Sequence, residues 1–423
     1  MKRKTICIIG LGYIGLPTAA MFATHGHKII GVDVNDYVIT ALNDARSIIE
    51  EPYLDILVQA AVKSGNLKAQ KVPDEADVFI IAVPTPIKPN KTADMSFVIE
   101  ATQSIVPHLR AGNVVVLEST SPPGTVDDII VPILAESGLE IGEQVMVAHS
   151  PERVLPGRIL IELVENNRIV GGINQRSAEV VKDLYKTFVK GEIYLTDAKT
   201  AEMCKIMENT YRDVNIAFAN ELAIISEKMG INVWDVIKLC NKHPRVNISQ
   251  PGPGVGGHCI AVDPWFIVEK YPDETQIIAL ARRTNDSMPA HVTDRIDAIL
   301  APIDGPRKIT ILGVTYKQDV DDLRESPIIH LIELLQQRHD YQISIVDPHV
   351  KNSKFETEEF IDAARGSDLV VLGVQHKVFA ELDFKSVAAV MRNKNILDTR
   401  NFLNGKELED LGFQYYLLGQ YKN

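Results

Sequence analysis

Residues 4–35, KTICIIGLGYIGLPTAAMFATHGHKIIGVDVN, set an apolar run, three closely spaced glycines, an amphipathic stretch and a second apolar run ending in an acid. That order reads as strand, tight turn, helix and strand, one βαβ unit. Gly10, Gly12 and Gly15 stand in G-x-G-x-x-G register directly after the strand Ile6 to Ile9, and Asp33 closes the second strand where a ribose-binding carboxylate is expected. The first glycine permits the tight turn, the second lets backbone approach a pyrophosphate, and the third lets helix pack closely on strand. Any strand-to-helix turn favours glycine, but here strand, helix, second strand and acid all agree. A carboxylate at Asp33 repels a 2′-phosphate, so the expected cofactor is NAD rather than NADP.

Further apolar strands are expected at Val78 to Val83 and Val114 to Leu117, each running into a polar loop, PTPIKPN and ESTSPPGT. Open α/β sheets bind ligands at such carboxyl ends, which makes Thr85 and Thr120 cofactor candidates beside their role as plain turn residues. From Thr200 to Gly230 there is no proline or internal glycine and apolar residues recur at helical spacing, so one long helix is expected to join two domains. Lys205, Asn209 and Arg212 share a face of it, either as a functional row or as a solvated stripe. A further helix is expected from Asp286 to Ile299, and then apolar strands alternate with helical stretches to the end. The fold class is therefore α/β, with two Rossmann-like doubly wound parallel-sheet domains joined by a long central helix. The expected division is 1–195, 196–304 and 305–423; the last segment lacks G-x-G-x-x-G at its first turn and need not bind a dinucleotide.

The chain has 423 residues, 45% of them hydrophobic, enough for two or three ordinary domains each with a core. Its formal net charge is −12 and no run of Lys and Arg is long enough to track a nucleic acid or an acidic membrane surface. No apolar run approaches membrane-spanning length, and the glycines argue against reading the N-terminus as a signal peptide. Four scattered cysteines without a C-x-x-C pair suggest neither a zinc site nor a disulfide framework, so no metal is expected and a reducing cytoplasm fits. Cys7 lies in the first strand, while Cys204 and Cys240 sit in helical patterns where a small buried hydrophobe is the expectation. Cys259 differs, because it lies in QPGPGVGGHCIAVDPWF, where a glycine-rich backbone can bring amides close to a thiolate.

The segments GLGYIGLP, AVPTP, EST, SPERVLPG, AEMCKIMENTYRDVNIAFANE, GVGGHCIAVDPW and YKQDVDDLRESP, in this order, resemble the nucleotide-sugar 6-dehydrogenases, the family of UDP-glucose and GDP-mannose dehydrogenases, over essentially the whole chain. His258 before the cysteine, and Ile260, Ala261, Val262 and Asp263 after it, are similar to the branch acting on UDP-N-acetyl-D-mannosamine rather than to the glucose enzymes. The resemblance implies a four-electron oxidation of a primary alcohol to a carboxylate with two NAD⁺ and one water. Cys259 would trap the aldehyde as a thiohemiacetal that is oxidised to a thioester. It implies Lys205 and Asn209 as a catalytic pair, Asp263 as the carboxylate near the lysine, and Glu152 and Thr120 as residues handling water or the thioester. Tyr13 and Ile14 would join the glycine turn at the cofactor, with Arg324 approaching it. Substrate contacts would come from Arg153, Val154, Lys205, Asn209, Arg212, His243, Arg245, Gly256, Tyr316, Lys317 and, more weakly, Arg400. The segment 305–423 would bind the UDP-sugar, and the central helix would form a homodimer or higher homo-oligomer, with the loop holding His243 and Arg245 reaching across it.

Three alternatives stand beside this reading. A UDP-N-acetylglucosamine 6-dehydrogenase differs in one sugar epimer. A two-electron β-hydroxyacid-type dehydrogenase needs neither Cys259 nor the second βαβ domain. A non-catalytic NAD-binding protein would leave Lys205, Asn209, Cys259 and Asp263 without use.

Overall fold

A computed structural model describes residues 3–338, 341–350 and 355–421. Two compact units divide the chain, the first made of residues up to Glu208 with Trp265–Tyr271, the second of Asn209–Pro264 and the residues from Pro272 onward.

The first unit is built on eight strands: β1 (Thr5–Ile9), β2 (Lys28–Val32), β3 (Leu67–Gln70), β4 (Val78–Ile81), β5 (Val114–Leu117), β6 (Met146–His149), β7 (Arg168–Gly172) and β8 (Ile193–Asp197). They lie in the order β3-β2-β1-β4-β5-β6-β7-β8. The first six follow the 3-2-1-4-5-6 order of the dinucleotide fold and run parallel; β7 pairs antiparallel with β6, and β8 parallel with β7. Strands β1, β4, β5 and β6 are buried almost throughout, as parallel strands covered on both faces must be. Alternate residues feed two cores: Ile6, Ile8, Val78 and Ile80 face one, Cys7, Ile9, Phe79 and Ile81 the other.

In the second unit, β9 (Lys308–Leu312), β10 (Gln342–Val346), β11 (Leu369–Leu372), β12 (Asn395–Asp398) and β13 (Gln414–Leu417) form a parallel sheet in the order β10-β9-β11-β12-β13. Numbered from its own first strand this is 2-1-3-4-5, whose switch point lies between β9 and β11. The loops after β9, β11 and β12 therefore open at the end where such sheets take ligands. Tyr316, Lys317 and Arg400 lie in those loops.

The expected long helix is present as Ala198–Met229. The later helix runs from Gln276 to Leu300, starting ten residues before the expected Asp286, because residues 276–285 contain no proline or glycine to interrupt it. The expectation of buried cysteines holds for Cys7 and fails for Cys240, which is exposed, and for Cys204, which is half-buried. Cys240 is the last residue of a helix, Val233–Cys240, whose buried residues are Val233 and Ile237. No helix among the described residues is long and apolar enough to cross a membrane.

Candidate active site

The glycine turn of the first unit shows three different constraints. Gly10 has φ +92°, and a Cβ there would lie 2.5 Å from the Ala82 carbonyl oxygen at the end of β4. A Cβ on Gly15 would lie 1.8 Å from the Gly10 carbonyl oxygen, so the helix Gly15–Thr24 can start this close to the strand only without a side chain. At Gly12 nothing lies within 4 Å of the Cβ position, which leaves open backbone for a phosphate. Ile14 caps that helix without a side-chain hydrogen bond, so the first-turn amides have no internal anion in their place. Asp33 accepts the Leu11 N–H at 3.0 Å and the Asn35 N–H at 2.9 Å, which anchors the carboxylate beside the turn. Tyr13 is 39% exposed, and Thr85 and Thr120 follow β4 and β5 half-buried. The residues present fit a dinucleotide.

Glu202 on the long helix accepts backbone N–H groups of Gly124 at 2.5 Å and Val126 at 2.8 Å, pinning the loop that follows Thr120. Burial pushes this carboxyl up to about 7 against those two hydrogen bonds. Lys205 stands one turn further along and is half-buried. Glu152, after β6, is buried, accepts the Arg153 N–H at 2.7 Å and pairs with Arg168. The Arg153 guanidinium in turn bonds Glu208 at 2.7 Å, and Val154 packs against the core. Nearby His149 is fully buried, and that burial pulls its imidazole down to about 3, so it is neutral.

In the second unit a strap runs from Gly252 to Asp263. The Gly252 N–H donates to Asn220 at 2.8 Å, Asn220 to Asn285 at 2.8 Å, and Asn285 to Asp213 at 2.8 Å, a buried chain ending on the Arg282 guanidinium. At its other end the Gly257 N–H donates to the Arg324 carbonyl at 3.1 Å. A Cβ on Gly256 would lie 2.4 Å from the Glu325 carbonyl oxygen and 3.0 Å from Tyr316 Cβ. The strap is thus seated backbone-first on the loop after β9, whose shape is held by the Tyr316 N–H on the Asp322 carbonyl at 3.0 Å. Cys259 follows, half-buried, in a turn closed by the Val262 and Asp263 N–H groups on its carbonyl at 3.0 and 2.8 Å.

Asp263 is buried and accepts the Asn209 amide N–H at 2.5 Å, while the Asn209 carbonyl oxygen accepts from Arg212. Arg212, Asn209 and Asp263 therefore form one row. Arg324 is held in a fork by Asp322, with contacts of 2.6 to 3.1 Å. Arg400 donates to the Gly373 carbonyl at 3.2 Å, and burial pulls its guanidinium down to about 10, which leaves it a cation at neutral pH. Lys317 is half-buried in the loop after β9, where its carbonyl accepts the Thr315 hydroxyl at 2.8 Å. His243 and Arg245 are exposed in the loop after Cys240. So Arg212, Asn209 and Asp263 are joined by hydrogen bonds, and Gly256 and Tyr316 by packing. Lys205, Glu152, Arg153 and Thr120 belong to the first unit, and Cys259 belongs to the second.

Residues 4–189 match the NAD binding domain of the UDP-glucose/GDP-mannose dehydrogenase family, residues 199–287 its central domain and residues 310–405 its UDP binding domain. The chain belongs to that family. It is an NAD-dependent nucleotide-sugar dehydrogenase, and the two-sheet architecture expected of the family is the one observed. It is 49% identical to a UDP-N-acetyl-D-mannosamine dehydrogenase of Methanocaldococcus jannaschii over 99% of this chain and 97% of that one. It is 45% identical to an NDP-N-acetyl-D-galactosaminuronic acid dehydrogenase of Ralstonia solanacearum over 96% of this chain and 97% of that one. The structure of a UDP-N-acetyl-mannosamine dehydrogenase from S. aureus superposes with a TM-score of 0.91 at 46% identity, covering 98% of this chain and 99% of that chain.

Reading the sequence missed Glu118, Arg168 and Tyr185, which surround Glu152 or its partner, and the Asn220–Asn285–Asp213 chain behind the strap. The signal for Glu118 was available: an acid directly after the apolar run Val114–Leu117, at the carboxyl end of a central buried strand.

Proposed function

We propose that this dehydrogenase oxidises UDP-N-acetyl-D-mannosamine at C6 to UDP-N-acetyl-D-mannosaminuronate, with Cys259 as nucleophile. The observation that carries the reading is the buried Asn209–Asp263 hydrogen bond, which ties the long helix to a carboxylate four residues past the cysteine. The substrate assignment draws on the relatives' names and on His258 and Ala261 around the cysteine.

Gly10, Gly12, Tyr13, Ile14, Gly15, Asp33, Thr85 and Thr120, with Arg324, would hold NAD, which when bound would supply the hydride acceptor for each of the two oxidations. Lys205 takes the C6 hydroxyl proton in the first oxidation and, as an ammonium, hydrogen-bonds the oxygen that becomes negative when the Cys259 thiolate adds to the aldehyde carbon. A second oxidation at that carbon leaves a thioester. Water, held by Glu152, Thr120 and Asp263, attacks it; the carbon–sulfur bond breaks and the thiolate returns. In total one alcohol, two NAD⁺ and one water give one carboxylate, two NADH and three protons. Asn209 and Arg212 orient Asp263 and the sugar. Arg153, Val154, His243, Arg245, Gly256, Tyr316, Lys317 and Arg400 bind the remainder of the nucleotide sugar. Working segments of 1–195, 196–304 and 305–423 would serve NAD, dimerisation and the UDP-sugar.

Tyr211, Phe218 and Ile225 recur every seven residues along one face of the long helix and are 67%, 51% and 42% exposed, which supports a homodimer through that helix. We assign the enzyme to the cytoplasm, making a precursor of surface polysaccharide.

The test is to supply purified protein with NAD⁺ and UDP-N-acetyl-D-mannosamine, UDP-N-acetylglucosamine, UDP-N-acetylgalactosamine or UDP-glucose in turn. Two NADH per sugar acid with the first substrate, and no acid formed by Cys259→Ala, are expected. One NADH per turnover would favour a β-hydroxyacid-type reaction instead, and preference for another sugar would move the substrate.

A further inference from the structure

Beneath Glu152 lies a buried cluster that no step above uses. Arg168, at the start of β7, is 4% exposed and stands between two carboxylates, Glu152 and Glu118, pairing with the first and lying 3.4 Å from the second. Its guanidinium also donates to the Ser150 hydroxyl at 3.0 Å and stacks 4.0 Å from the centre of the Tyr185 ring. Glu118 is held in turn by the Tyr185 hydroxyl at 2.5 Å and by Thr18 at 3.4 Å. Both terminal nitrogens of the guanidinium are therefore held by partners, and one of its faces by a ring.

We propose that Arg168, fixed by Glu118 and Tyr185, is a positioning residue that holds the Glu152 carboxylate in the one orientation needed to hydrolyse the Cys259 thioester. The proposal rests on the reading that Glu152 serves that step. One Glu152 oxygen takes Arg168 and the other the Arg153 N–H, and each keeps one lone pair in a fixed direction. A fixed acceptor is what a water needs if it is to meet an acyl carbon in a near-attack arrangement. The charge balance is also set here. One cation serves two acids, Glu118 on one terminal nitrogen of the guanidinium and Glu152 on the other, so removing the charge at Glu118 loosens one of the two contacts that fix its direction.

Replacing Arg168 outright would leave two buried acids unpaired, so the test uses Glu118→Gln and Tyr185→Phe, with Glu152→Gln alongside. Each variant is mixed with NAD⁺ and UDP-N-acetyl-D-mannosamine, acid-quenched at steady state and weighed intact. Expected are kcat values about tenfold down, KM values within about twofold of wild type, and a sugar-nucleotide acyl adduct on Cys259 that wild type does not accumulate. A merely structural role would lower the melting temperature without collecting the adduct. If Glu152→Gln accumulates adduct while Glu118→Gln and Tyr185→Phe turn over like wild type, the positioning role is wrong and the Glu152 reading stands. If Glu152→Gln itself turns over normally without adduct, both fall.

Discussion

Gly256→Ala isolates what the strap contributes. The residue is not in the left-handed region, so alanine's own backbone preference costs little, and the whole penalty is contact. The new methyl carbon would lie 2.4 Å from the Glu325 carbonyl oxygen, 2.8 Å from Pro327 Cδ and 3.0 Å from Tyr316 Cβ, where ordinary contact begins near 3.4 Å. Two of these neighbours are a backbone oxygen and a proline ring, which cannot rotate aside, so the strap must lift by about 1 Å. Overpacking of this kind costs roughly 1–3 kcal/mol. At a sensitivity of about 2–4 °C per kcal/mol for a unit of this size, roughly 2 kcal/mol lowers the melting temperature by about 4–8 °C. A misplacement of about 1 Å at a reacting group costs on the order of a hundredfold in rate, and Cys259 is three residues along the same strap. Stopped-flow NADH formation and a thermal melt measure both effects in one preparation. Wild-type kcat with a wild-type melt would show that the loop after β9 yields freely and that the backbone seating of the strap does not set the cysteine's position.

In the first unit, Gly12→Ala should leave the melting temperature unchanged, since its Cβ meets nothing within 4 Å, yet raise the KM for NAD⁺ at least tenfold by filling the phosphate approach. Phe218→Asp, in the middle of the exposed stripe, should shift the protein to monomer in sedimentation velocity; an unchanged oligomer would exclude that face as the interface. Arg282→Met should cost roughly 3–5 kcal/mol in urea unfolding, because it leaves Asp213, which is completely buried, without its cation. Glu118 and Glu202 both rise from 4.5 to about 7 on folding, so the folded protein holds two protons that the unfolded chain releases. Stability contributed by these groups is therefore full below about pH 4.5 and declines as pH rises to about 7, and Glu202→Gln should flatten that decline in melts taken from pH 5 to 8.

The turn at Gly10 to Gly15 was legible because its chemistry is local, with strand, glycines, helix and acid all within 35 residues. The long helix was legible because nothing from Thr200 to Met229 interrupts its period. Strands β3, β6, β7, β8 and β13 were not read: β3 and β13 mix polar with apolar residues, β6 and β7 run into His149 and the Gly171–Gly172 pair, and β8 is half-exposed, too little pattern to separate from loop. The site divides in the same way. Lys205, Asn209 and Arg212 share a helix face that spacing alone reveals, whereas the bond from Asn209 to Asp263 spans 54 residues and only a resemblance could pair them. The Arg168 cluster was invisible for the same reason, since Tyr185 and Glu118 are 67 residues apart and their chemistry comes from burial. Cys240 erred in the other direction, its helical period continuing past the residues its helix buries.

Asn209 is a small amide with an anion at one end and a cation at the other, and it joins Asp263 to Arg212 with opposite polarity at each contact. An aspartate in its place would face Asp263 with a second negative charge, and a leucine would remove the hydrogen bond that each of its two neighbours makes to it. A change at any one member therefore alters the hydrogen bonding of the next, and a compensated row needs paired substitutions. His258 and Ala261 stand outside the row, so on the proposed substrate assignment a change of sugar preference is expected beside the cysteine and not behind it.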